Sequence, residues 1–351
     1  MASSGAANAA VLDSAELKGV LAGGLIREDV MNKIFDISKI PLPFTDLVGG
    51  DSSSQSYTEW TTDELASPNV ANAVIDGSDI SGNDAKTGLR VGNQHQISIK
   101  AVQVSYRADV SDKIGRAKEL AYQIMRRQQE LRRDVEAIAL GNQASVVDNG
   151  TSVAGKVGAL GSWLKTNSSG GGSGLGFDTS TKLTVAPTIG AAAALTEAGL
   201  RSTIQKVYEQ GGDASVMMTV PGVIAQFSKY MIKTGAGVAA IHSEVDGRSK
   251  EPVTALGTVN VFVTDFGSIR AVPNRLQQTY VDSGSTQVAT VYILDPQYLA
   301  FTYLKGYQTD ELAKTGLSEK RMMSVDWSLK VHTEKAHGCI FGVNPAAAMT
   351  A

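Results

Sequence analysis

Residues 111–142 read SDKIGRAKELAYQIMRRQQELRRDVEAIALGN. Ile114, Ala117, Ala121, Ile124, Gln128, Leu131, Val135 and Ile138 step by three and four along this stretch. Arg116, Lys118, Arg126, Arg127, Glu130, Arg132, Arg133 and Glu136 take the other faces. The spacing predicts a single helix over 112–142, about 45 Å long at ~1.5 Å per residue. Ser111 or Asp112 is placed to cap its start, and Gly141-Asn142 offers a left-handed stop. A coiled coil has the same period. With alanine and glutamine in the seam and no second matching helix, the helix is expected to lie across a sheet.

Ahead of this helix the chain is polar and extended. Met1 to about Gly24 is small and polar, too poor in apolar residues to bury its own surface, and reads as an arm. Pro41-Leu42-Pro43-Phe44 is expected to force extended backbone where the arm enters the body. Between Asp51 and Gly92 the turn signals Asp76-Gly77, Ser81-Gly82-Asn83-Asp84 and Thr87-Gly88 interrupt alternating segments. This predicts a hairpin excursion with sides Gln55–Thr62 and Gln94–Tyr106. Loops of that length inside a compact domain are uncommon, so its packing partner is expected outside the subunit.

Behind the helix lies the Gly-rich Ser168–Gly176, expected to be a flexible surface loop. Thr196–Glu209 reads as helix, Ala214–Val220 as strand and Pro221–Lys233 as helix with proline in its first turn. Thr234–Leu256 is Gly-rich and charged. Gly257–Thr264 and Ile269–Val272 are expected strands around the turn at Asp265–Ser268, and Val288–Leu294 another, ending at Asp295-Pro296. Met322–Val331 and Gly338–Val343 close the chain as a strand hairpin that rejoins the helix-bearing domain, which is therefore discontinuous. The fold class is α+β.

Composition excludes several functions. Lys plus Arg number 32 against 35 Asp plus Glu, a net charge of −3, so no basic excess supports a dedicated nucleic-acid binder. The single cysteine, Cys339, excludes an intrachain disulfide and a Cys-cluster metal site, and its apolar strand points to inert packing. No apolar run approaches the ~18 residues of a membrane helix, and no basic region precedes a hydrophobic block at the N-terminus.

Chemical motifs fare no better. Gly170–Gly176 lacks the Gly-Lys-Ser/Thr of a phosphate loop. His332 and His337 stand five apart beside strands, where a metalloprotease helix needs four, and read as ordinary residues of a turn. No serine lies in Gly-x-Ser-x-Gly, and no carboxylate set supplies acid, base and orienting group together. Glu119, Glu130 and Glu136 among the arginines read as solvated or intersubunit ion pairs. No catalytic residue, cofactor or metal is expected. Arms and long loops lose ordering entropy that only neighbours return, which points to an assembly protein.

Several ordered stretches carry a resemblance. They are Glu59–Leu65 (EWTTDEL), Gly92–Ile97, Gly115–Gln123, Arg133–Glu136, Asp265-Phe266-Gly267, Pro273-Asn274-Arg275, Leu294-Asp295-Pro296, Gln308–Gly316 and Glu334–Gly338. With them the chain resembles a bacteriophage major capsid protein of the HK97 fold, within the SU10-like major head protein family. The resemblance implies an N-terminal arm over 1–48, an extended E-loop hairpin over 49–105, and a peripheral domain over 106–185 and 295–351 with its spine helix at 112–142. An axial domain over 186–294 completes it.

It also implies self-assembly through pentamers and hexamers into an icosahedral head around packaged double-stranded DNA, touched only non-specifically, with expansion from procapsid to mature shell. A portal protein and possible decoration proteins are implied partners. About forty residues precede the E-loop, too few for a large fused scaffolding domain, so a separate scaffolding protein is expected. The setting would be the virion, assembled in the host bacterial cytoplasm, with no membrane partner. Trp60 and Leu65 become candidate contacts to a neighbour, although local packing serves a strand Trp equally well. Arg116, Glu119, Arg126, Arg133, Glu136 and Arg275 join them as candidate intersubunit residues. No Lys–Asn cross-link is expected, because no buried carboxylate is evident beside such a pair. The rival readings are an encapsulin-like cellular compartment, a tail or adhesion protein, for which tandem repeats are lacking, and a hydrolase.

Overall fold

A computed structural model describes residues 41–77, 79, 87–113, 116–242, 261–314 and 316–350. Most of the expected arm, Ile114 of the helix stripe and most of 234–260 lie outside these residues. Two sheets organise the rest. The first has four strands in the order β1 (Gly49–Ser52), β13 (Leu299–Glu311), β14 (Ser318–Val331), β4 (Gln96–Ser105). The second follows the order β5 (Ser168–Gly170), β15 (Gly338–Val343), β12 (Gln287–Leu294), β8 (Val216–Thr219), β10 (Gly267–Pro273), β9 (Val261–Thr264), with β11 (Tyr280–Val281) paired to β12. Two-stranded pairs are formed by β2 (Tyr57–Thr62) with β3 (Leu89–Gln94) and β6 (Phe177–Asp178) with β7 (Leu183–Thr184).

The long helix exists but is shorter than the periodicity indicates. A five-residue helix, α1 (Pro43–Leu47), opens the described chain, α2 (Tyr106–Val110) follows β4, and α3 runs over Glu119–Ala139. Its start is set by Asp109, whose carboxylate accepts from the Leu120 amide at 3.0 Å. A carboxylate borrowed from α2 thereby does the work expected of Ser111 or Asp112. Twenty-one residues give about 32 Å rather than 45 Å. Leu140 follows the last turn, and Gly141 is not among the residues of positive φ, so the left-handed stop is not used. The helix does lie across a sheet. Leu131 and Val135 are buried against Met323, Val325 and Trp327 of β14, and Lys100 of β4 pairs with Asp134 at 2.7 Å.

Five other expectations change. Pro43 opens the turn of α1, proline being well suited to a first helical position, so the backbone there is not simply extended. The second side of the hairpin is Leu89–Gln94. Residues 96–105 leave it to pair along β14, with Ile99 opposite Ser324 and Val102 opposite Arg321. Helix α6 runs from Pro221 to His242, nine residues beyond Lys233 and through Gly235 and Gly237. The other α-helices among the described residues are α4 (Leu160–Trp163) and α5 (Glu197–Glu209), the latter capped by Thr196 Oγ1 on the Gly199 amide.

The terminal strands do not form a hairpin with each other. β14 joins the first sheet, and β15 inserts into the second beside β12. The reason lies in their side chains, which face two cores. Cys339 and Phe341 point with Tyr292, Leu294 and Met218 into the core beneath α3, whereas Ile340 and Val343 point with Val291, Ile293 and Met217 toward α5 and α6. A strand buried on both faces needs a near-continuous apolar run, which GCIFGV and VATVYIL, interrupted only by Thr290, supply. The second sheet is therefore shared between the two cores.

The glycine run at 168–176 is packed tightly. Ser168–Gly170 pairs in parallel with β15. A Cβ on Gly174 would stand 1.5 Å from the Leu164 carbonyl, and one on Gly190 would stand 1.3 Å from the Gly171 carbonyl. The glycines serve close backbone approach.

Candidate assembly surfaces

The hairpin is docked at its root and free at its tip. Trp60 lies 5.3 Å from Trp163, which stacks on Phe177 at 5.6 Å, and its Nε1 donates to the His332 carbonyl at 3.2 Å. Tyr57 donates to the Lys182 carbonyl at 2.8 Å, and Lys335 pairs with Glu64 at 2.6 Å. Trp60 therefore packs locally. Beyond Glu64 regular structure ends. Leu65 is 100% exposed, Val70 102%, Val74 82% and Ile75 84%. Covering each would contribute about 1.5–3 kcal/mol, and the described subunit offers no cover. Smaller apolar surfaces lie at Tyr106, Val110 and Leu317, around the contact of the Tyr106 amide with the Leu317 carbonyl, and at Val261 and Val263 on the edge strand β9. Val261 and Val263 were legible as part of an alternating strand, but their exposure was not, because the pattern does not say which face of β9 is covered.

Between the hairpin and the first sheet sits His95. Its Nδ1 lies 3.2 Å from Asp326 Oδ1 and its Nε2 lies 2.7 Å from Thr58 Oγ1. Burial lowers its pKa, and Asp326 opposes the shift in part. The carboxylate accepts only, so the ring carries its proton on Nδ1 and Thr58 donates to Nε2. Residues 58, 95 and 326 are thereby tied at the hairpin root.

The charged candidates divide. Arg116 pairs with Glu119 at 3.0 Å and lies 4.2 Å from the Tyr122 ring centroid, while Gln123 donates to Glu119 at 2.7 Å. Both are satisfied within the chain. Arg126 is half-buried, 6.0 Å from the Tyr122 centroid. Arg133 is half-buried and Arg275 exposed, and neither has an ion-pair partner among the described residues.

Glu136 is neither solvated nor available to another subunit. It is fully buried. Its Oε1 accepts from the Phe44 amide at 3.1 Å and Asn274 Nδ2 at 2.7 Å. Its Oε2 accepts from the Thr45 amide at 3.1 Å and Thr45 Oγ1 at 2.9 Å. A buried carboxylate beside an asparagine thus exists, contrary to expectation, but its donors include no lysine. The sequence carried one cue: position 136 lies beside the buried stripe of Leu131, Val135 and Ala139.

Of the turn histidines, His332 is half-buried, but His337 is fully buried. Its Nδ1 accepts from the Asp295 amide at 3.2 Å, and burial lowers its pKa to about 4. Cys339 is fully buried and its thiol pKa is raised by burial. Among the described residues no helix is long and apolar enough to cross a membrane.

A shared two-core sheet, a helix across a second sheet and an outlying hairpin define a shell-protein architecture also found in solved assemblies. The chain superposes on the capsid of cyanophage A-1(L) with a TM-score of 0.60 at 12% identity, covering 93% of this chain and 99% of that one. It superposes on the SrpI encapsulin of Synechococcus elongatus PCC 7942 with a TM-score of 0.53 at 11% identity, covering 94% and 97%. At such identities the likeness concerns the fold. The SU10 major capsid protein family model matches residues 8–344, and the chain belongs to that family. The major capsid protein of Escherichia phage Phieco32 is 36% identical over 113 residues, a match spanning 32% of each chain.

Proposed function

We propose that the chain is the subunit of an icosahedral phage head that encloses double-stranded DNA. Family membership supports this reading, and the observation that carries it is the tip at 65–75, whose four large apolar side chains lie in solvent. On this reading residues up to 48 act as the arm and 49–94 as the E-loop over a neighbour. The core beneath α3 is peripheral and the core under α5 and α6 axial. Copies assemble as pentamers and hexamers with a separate scaffolding protein and a portal, in the cytoplasm of the host, and the shell expands as DNA enters. The role is structural, without catalysis, and DNA touches the wall without sequence preference.

Sedimentation and negative-stain microscopy of the purified chain under assembly conditions test the reading. Closed shells of uniform diameter are expected. Monomers or small rings under all conditions would contradict it. The encapsulin likeness keeps a cellular compartment as the second reading, and nucleic acid rather than cargo enzyme inside native particles decides between them.

A further inference from the structure

Glu136 joins three segments far apart in sequence. It takes two backbone amides and a hydroxyl from α1, where the chain leaves toward the arm, and an amide from Asn274, which follows β10. A carboxylate has about four lone-pair sites, so these four donors fill it. Asn274 is itself held, donating its backbone N–H to the Thr219 carbonyl at 2.9 Å and accepting from the Leu276 amide at 2.8 Å. Moving Asn274 away leaves a buried carboxylate short of a donor, which costs more than it would for a neutral group. The cheapest response is for Glu136 to shift and carry α1 with it.

We propose that Glu136 is a positioning residue that couples the Pro273–Arg275 segment at the end of β10 to α1, so that the position of that segment sets the position of α1. Only the use of this linkage between copies rests on the capsid reading, and the coupling is a property of the isolated subunit. Arg275, exposed next to Asn274, is the solvent-facing side of this linkage.

Hydrogen–deuterium exchange with mass spectrometry on the unassembled full chain tests it. Asn274→Ala removes a group that touches neither Phe44 nor Thr45. It is nevertheless expected to speed exchange in 43–48 at least about fivefold, the lower end of ordinary coupling. Glu136→Gln is expected to speed exchange both in 43–48 and in 273–277. Effects confined to 273–277 in the first variant, or to 43–48 in the second, overturn the proposal, as separate contacts would give that result. Either variant decides alone if circular dichroism shows the other unfolded. Failure of the wild-type chain to form shells, with the coupling intact, would count against the capsid reading only.

Discussion

Trp60 and Trp163 lie 5.3 Å apart, and this contact fixes where the hairpin stops belonging to its own subunit. On the near side of it every strand residue finds a partner. On the far side the side chains of Leu65, Val70, Val74 and Ile75 lie in solvent.

A variant with Leu65, Val70, Val74 and Ile75 all changed to Ser is therefore expected to keep the wild-type melting temperature as a monomer, because none of the four side chains is buried. It is expected to form no shells by sedimentation. Four lost burials of about 1.5–3 kcal/mol per subunit exceed what weak repeated interfaces supply.

Acid is expected to destabilise the subunit through His337. The folded pKa is about 4 and the unfolded value 6.5. The unfolded chain therefore binds more protons between these values, and stability rises with pH there. The contribution is complete above pH 6.5, falls as pH drops, and is gone near pH 4, on the order of 3 kcal/mol in all. His95, also lowered by burial, acts in the same direction. Thermal melts at pH 7.5 and 5 read the loss, and His337→Asn, which keeps an acceptor for the Asp295 amide, is expected to flatten the dependence.

Gly190→Ala places a methyl 1.3 Å from the Gly171 carbonyl and is expected to cost more than the usual 1–3 kcal/mol of overpacking, or to abolish folding. Gly306→Ala meets nothing within 4 Å and is expected to leave urea midpoints unchanged.

Trp327→Ala removes a fully buried ring and its 3.1 Å hydrogen bond to Ser98 from the core under α3. Equilibrium unfolding is expected to show a loss of about 3–5 kcal/mol.

Most elements were legible because their signals are local. The Leu131–Val135 stripe, the helix over Thr196–Glu209, the alternation of 322–331 and the turn at Asp76-Gly77 each fall within a few residues, while Ser81–Asp84 lies outside the described residues. What escaped was set at long range. The start of α3 depends on Asp109 eleven residues before Leu120, the pairing of β15 on a second core, and the packing of 168–176 on backbone from 188–191. The strand β13 was missed because only its first four residues are buried. Glu136 was misread for the same reason: a helix full of charges gives no local sign that one carboxylate faces inward, since its four donors come from residues 44, 45 and 274. Leu65 kept its place as a candidate contact because exposure of an apolar tip is already implied by a long loop without a core.

A three-dimensional reconstruction of assembled particles tests the central claim most directly. Residues 65–75 are expected to be ordered and seated on the surface of a second copy. Closed particles in which that segment touches only its own subunit, or a chain that builds no particle at all, would contradict the account.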